Sequence, residues 1–121
     1  YLKSSIISRR KIASIYNKKI KNKSLILPKQ NKNCFHSYYV YVVRHKKRKK
    51  IMEYLKKNGV FCNFSYPFPI HLMTGYKYLG YKKGSLPTTE KVSREIFSLP
   101  MYPKLTLKKI NKVINLINNF K

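Results

Sequence analysis

Aspartate is absent from this 121-residue sequence, and glutamate occurs three times only, as Glu53, Glu90 and Glu95. The three show no paired-carboxylate spacing, so acid–base chemistry of the glycoside-hydrolase kind has no candidate pair. Two cysteines, Cys34 and Cys62, are too few and too far apart for a disulfide framework. A reduced, cytoplasmic protein is the simpler expectation. Cys34 and His36 form a Cys-x-His pair, with His45, Cys62 and His71 further along, but none of the usual zinc spacings occurs and no metal site is expected. Glycine is scarce, and neither a phosphate-binding loop nor a nucleophile elbow is present. No apolar run approaches the roughly 18–20 residues that a membrane-spanning helix needs, and no signal-peptide pattern opens the chain.

What the sequence has in excess is positive charge: 28 lysine and arginine residues give a formal net charge of +25. Such a balance suits a polyanion partner. Two features argue against that. The cations are overwhelmingly lysine, whereas bidentate recognition of phosphates and bases favours arginine. Lysine, asparagine, isoleucine and tyrosine are also enriched together, which an AT-rich coding sequence explains at once. The basic residues therefore read mainly as solvated surface. A Schiff-base lysine needs a desolvated setting, and none of these lysines, set among other lysines and polar residues, can be nominated. The hydrophobic fraction of 43% is ordinary for a folded domain. The length allows a single modest core.

Leu2, Ile6, Arg9, Ala13, Tyr16 and Ile20 recur at helical spacing, so a helix is already under way in the first residues and fades before Pro28. Arg9 lies in that stripe and either snorkels or meets a partner outside these residues. Residues 28–34 read as a polar loop. Phe35–Val43 is β-branched and aromatic on both alternating faces, which predicts a central strand covered on both sides. A basic run from Arg44 to Lys50 leads into a helix that turns Ile51, Met52 and Leu55 inward and ends at Asn58-Gly59. Val60–Phe64 reads as a second strand. Pro67 and Pro69 then impose an irregular extended path. Pro87-Thr88-Thr89-Glu90 starts a helix that runs through Ser93–Phe97, and Leu99–Pro103 is extended again. Thr106 caps a last helix whose apolar face is Leu107, Ile110, Val113, Ile114, Ile117 and Phe120. The fold class expected is α+β, a small antiparallel sheet covered by helices, with a third strand from residues 24–28 or 97–101. No repeat and no internal domain boundary is found.

Four ordered boxes carry more information than any of these elements alone: Ser-Tyr-Pro-Phe-Pro-Ile-His-Leu at 65–72, Tyr-Lys-Tyr-Leu-Gly-Tyr at 76–81, Pro-Thr-Thr-Glu at 87–90 and Ser-Leu-Pro-Met-Tyr-Pro at 98–103. Together they resemble the pyridoxal-phosphate-dependent nucleotide-sugar aminotransferases of the DegT/DnrJ/StrS group. Upstream, Arg9–Asn17 is similar to that family's interdomain helix, and His36-Ser37-Tyr38 with Tyr41-Val42 to its following strand. The resemblance covers essentially the whole chain. It implies the C-terminal small domain of an aspartate-aminotransferase-like fold, with residues 1–22 as interdomain helix and 23–121 as α+β body. The large domain, with its cofactor lysine and the aspartate that partners the pyridine nitrogen, would lie outside these residues. The chain alone would then catalyse nothing.

The resemblance further implies a homodimer, a nucleotide-sugar substrate, an amino-acid donor such as glutamate and pyridoxal 5'-phosphate as cofactor, without a membrane association. Of the candidate substrate-binding residues, Tyr66 corresponds to a tyrosine near the sugar, where a phenol can bond a hydroxyl or stack on the ring. The bland alternative is a tyrosine that packs the wall beside Pro67. Ser65 stands where the family often has histidine. His71 matches the family's second histidine, with a turn-stabilising role as the competing reading. No catalytic, cofactor-binding or metal-binding residue is assigned. The rival is a free-standing basic nucleic-acid-binding module with tyrosines as stacking platforms. It needs tyrosines exposed beside the lysine clusters, whereas the aminotransferase reading needs Tyr38, Tyr41 and Tyr102 committed to packing.

Overall fold

The computed structural model describes residues 1–121. Helix α1 (Leu2–Lys19) is followed by strand β1 (Tyr41–Arg44), helix α2 (Arg48–Lys57), two 3-10 turns (Ile70–Leu72 and Thr74–Leu79), helix α3 (Pro87–Glu95), strand β2 (Ile96–Leu99) and helix α4 (Leu107–Asn119). β1 and β2 pair antiparallel, Tyr41 opposite Leu99 and Val43 opposite Phe97. All four of these side chains are buried on one face. They meet Ile12, Ala13 and Tyr16 of α1, Ile51 and Leu55 of α2, and Ile110, Val113, Ile114 and Ile117 of α4 in one apolar cluster. The expected α+β class is what forms. No helix is long and apolar enough to cross a membrane.

The sheet is narrower than the sequence predicts, for identifiable reasons. The strand expected over 35–43 begins only at Tyr41, because Tyr38 adopts a left-handed backbone (φ 50°) that interrupts an extended path. Such a conformation in a non-glycine residue costs about 1–3 kcal/mol. Here the Tyr38 ring is buried and stacks between His36 and Tyr41, with centroids 4.1 and 6.0 Å away. Residues 60–64 do not form a strand: Asn63 alone bridges Ser98, while Ile26 bridges Arg44 on the opposite edge. β2 is short because Pro100, which has no N–H to offer the ladder, follows Leu99. The segment 93–97 is split, helical to Glu95 and extended from Ile96, where pairing with Arg44 overrides helical continuation.

Two further corrections concern burial. Tyr102 is 41% exposed instead of packed, and Leu107, counted on the apolar face of α4, is 63% exposed. Tyr38 and Tyr41 are buried as expected. Thr106 does cap α4, its hydroxyl accepting from the Lys109 N–H. The C-terminal ends of α1 and α4 cap each other through two asparagines. Asn118 Oδ1 accepts from the N–H groups of Lys21 and Asn22, and its amide donates to the Lys19 carbonyl. Asn22 in turn donates to the carbonyls of Ile117 and Phe120. Carbonyls that a helix end leaves without partners are thereby satisfied.

Ile117 is fully buried, so Ile117→Ala is expected to cost about 2–5 kcal/mol through lost burial and a residual cavity. Leu107→Ala should stay within about 0.5 kcal/mol. Urea denaturation of the two variants checks the contrast.

Candidate functional site

Between Asn63 and Pro87 the chain leaves the core. None of its hydrophobic side chains in this stretch is buried, and none packs against the apolar cluster. Two prolines and the two 3-10 turns give it shape, with local backbone bonds from Leu72 to Pro69, Met73 to Ile70, Tyr76 to Met73, Gly80 to Lys77 and Ser85 to Lys82. The sequence boxes at 65–72 and 76–81 thus form an exposed apolar ledge.

Tyr66 is 74% exposed. With Phe68, Pro69 and Ile70 it faces Thr88, Thr89, Val92 and Ser93 of α3 across an open hollow of about 360 Å³. The hollow is largely apolar, with the Tyr66 phenol and the hydroxyls of Thr88, Thr89 and Ser93 as its side-chain polar groups. Ser65 does not share it: Ser65 lines a smaller neighbouring hollow of about 210 Å³ with Asn63 and Ser98. His71 lies outside both hollows and is buried. Its Nε2 is 3.1 Å from Glu90 Oε1, and its ring meets Tyr81 edge-on. Glu90, 5% exposed, also accepts from the Gly84 N–H at 2.7 Å. Gly84 has φ +91°, a backbone that a side chain would strain. The hydrogen bond from His71, followed by that from the Gly84 N–H, holds the Glu90 carboxyl below the usual carboxylate range.

The three candidates therefore separate: Tyr66 borders the apolar hollow, Ser65 the adjoining one, and His71 supports the ledge from beneath. Sequence reasoning missed Phe68, Ile70, Thr88 and Thr89 as lining residues. Both threonines lay inside a box already noted, but as the start of a helix.

Elsewhere, a cationic cleft of about 420 Å³ is lined by Lys23, Lys46, Lys47, Lys91 and Lys121 around the buried His45. Burial, then the Lys47 charge, lowers the pKa of His45. No aromatic residue other than His45 lines this cleft, so the juxtaposition that the nucleic-acid rival requires is not formed there. A larger hollow, about 680 Å³, is an open depression along α1 lined by Arg10, Asn17, Lys29 and Tyr38 and by no residue of the four boxes. Burial pushes the Cys62 thiol up to about 12, well away from a reactive thiolate at neutral pH.

The sequence model of the DegT/DnrJ/EryC1/StrS aminotransferase family matches residues 1–118. The chain is 54% identical over 71 residues, 58% of its length, to a dTDP-3-amino-3,4,6-trideoxy-alpha-D-glucose transaminase of Micromonospora megalomicea. It is 34% identical over 115 residues, 93% of its length, to a pleiotropic regulatory protein of Geobacillus stearothermophilus. The crystal structure of DesV from S. venezuelae superposes with a TM-score of 0.91 over 96% of the chain at 26% identity. These matches take up 19%, 31% and 32% of those proteins, so the chain spans about a third or less of their length.

Because the Glu90 carboxyl is depressed, its anchoring is present above the ordinary carboxylate range, about pH 4.3, and is lost as pH falls through the lower folded-state value. The Gly84 amide reports this directly: its NMR shift should titrate with a midpoint below that of a free glutamate. A midpoint at or above it would refute the assignment.

Proposed function

The chain belongs to the DegT/DnrJ/EryC1/StrS aminotransferase family, and we propose that it forms the small C-terminal domain of a nucleotide-sugar aminotransferase, with the 64–85 ledge as one wall of the sugar pocket. Residues 1–22 would be the interdomain helix and 23–121 the body. The complete enzyme would move an amino group from an amino-acid donor to a keto group of a nucleotide-linked sugar, as a cytoplasmic homodimer.

The observation that carries this reading is the ledge itself. A run of large apolar side chains including Tyr66, Phe68 and Ile70 is held outside the core, around a hollow with few polar groups. A mostly apolar surface with sparse hydroxyls suits a sugar face and its ring hydroxyls. The first turns of α1 support a second contact. Leu2 and Ile7 are exposed, and Arg9 Nε is a buried donor with no partner within this chain.

Pyridoxal phosphate does not fit the residues present. Every lysine is solvent-exposed, and no aspartate exists to meet the pyridine nitrogen. When bound in the complete enzyme, the cofactor would supply the electron sink for amino transfer. The residues of this chain would serve to bind and orient the sugar. Tyr66 Oη can donate to or accept from a sugar hydroxyl, Thr88 and Thr89 can do the same from α3, and Phe68 and Ile70 exclude water from that face.

In the complete enzyme, Tyr66→Ala should raise KM for the nucleotide sugar by about tenfold while leaving the half-reaction with the amino donor unchanged. An unaltered sugar KM would contradict the reading. The 121 residues alone, mixed with pyridoxal phosphate, should develop no absorbance from a lysine-bound cofactor, and such a band would overturn the assignment of cofactor binding to residues outside them.

A further inference from the structure

The ledge has an attachment that its exposure conceals. Each hydrogen bond from residues 64–85 to the rest of the domain ends on a single atom, Glu90 Oε1: one from His71 Nε2 at 3.1 Å, the other from the Gly84 N–H at 2.7 Å. The two donors are 13 residues apart, His71 within the first 3-10 turn and Gly84 beyond the second. His71 is also the sole buried residue of the segment. Apart from this anchor, Phe64 lies under the Arg48 guanidinium at 4.7 Å, at the point where the chain departs from the core.

Glu90 occupies the first turn of α3, the helix that contributes Thr88, Thr89, Val92 and Ser93 to the opposite side of the hollow. One carboxylate therefore fixes the distance between the two sides of the hollow. From this we infer that Glu90 is a positioning residue for sugar binding: it touches no substrate, but acts through His71 and Gly84 on Tyr66, Phe68 and Ile70. The inference rests on the proposal that this hollow faces the sugar.

The test compares three variants in the complete enzyme. Glu90→Gln keeps a carbonyl oxygen able to accept both bonds. Glu90→Ala removes the acceptor, and His71→Phe removes one donor while retaining a ring against Tyr81. Hydrogen–deuterium exchange is expected to accelerate by about tenfold or more across 70–85 in Glu90→Ala, to a smaller extent in His71→Phe, and by less than about threefold in Glu90→Gln. Amides of α4 and β2 serve as the internal reference for folding, and His71→Phe carries the test should Glu90→Ala fail to fold. The sugar KM should rise in step with exchange, with the donor half-reaction unmoved. Unchanged exchange in both Glu90→Ala and His71→Phe overturns the anchor. Faster exchange with an unchanged sugar KM preserves the anchor but refutes its role in sugar binding, whereas an unaltered sugar KM in Tyr66→Ala refutes the reading of the ledge as a pocket wall.

Discussion

Two of the three carboxylates in this chain are buried, and each is a fixed point for a different part of the molecule. Glu90 holds the ledge through His71 and Gly84. Five residues later, Glu95 Oε2 accepts from Arg44 Nε and Nη2 at 3.2 and 2.8 Å, tying the end of β1 to the junction of α3 and β2. Arg48 completes that junction by donating to the carbonyls of Ser93 and Ile96. In a chain with 28 basic residues, a missing acid has no substitute nearby. A buried acceptor that anchors two segments is costly to remove because its donors would be left unpaired. α3 is thus the element through which sheet and ledge are joined.

The large apolar side chains divide into those packed in the core and those held in solvent. Tyr16, Tyr41, Phe97, Ile51, Leu55, Ile110 and Ile117 are packed away completely. Tyr66, Phe68, Ile70 and Tyr78 are almost as apolar and are left in solvent. Neighbouring exposed apolar side chains are what interaction and binding surfaces are commonly built from. The excess of lysine follows the opposite pattern, spread over every exposed element without aromatic partners in the one cleft where it is densest.

The sequence made the helices and the family boxes legible, and the sheet much less so. The α4 stripe and its Thr106 cap express local periodicity and local capping, which need no knowledge of the rest of the fold. The residue types place β1 but overextend it, since nothing in them announces that Tyr38 turns left-handed to stack on its neighbours. The break between Glu95 and Ile96 follows from pairing with Arg44, a contact across 52 positions that no window of local sequence contains. Leu107 fits the helical period yet lies at the rim of the face. At the site, the Tyr-Pro-Phe-Pro box identified the ledge, but the partition of Ser65, Tyr66 and His71 into three environments arises from how the two 3-10 turns fold back on α3.

The central claim is that the ledge and the facing turn of α3 meet a nucleotide sugar. Hydroxyl-radical footprinting of the complete enzyme, with and without a saturating nucleotide sugar, tests it most directly, because the side chains at issue are aromatic and exposed. Tyr66 and Phe68 should be protected on binding, while Phe35 and Tyr39, equally exposed beside α1, should not change. Full occupancy with Tyr66 and Phe68 labelled at their free rate would contradict the account.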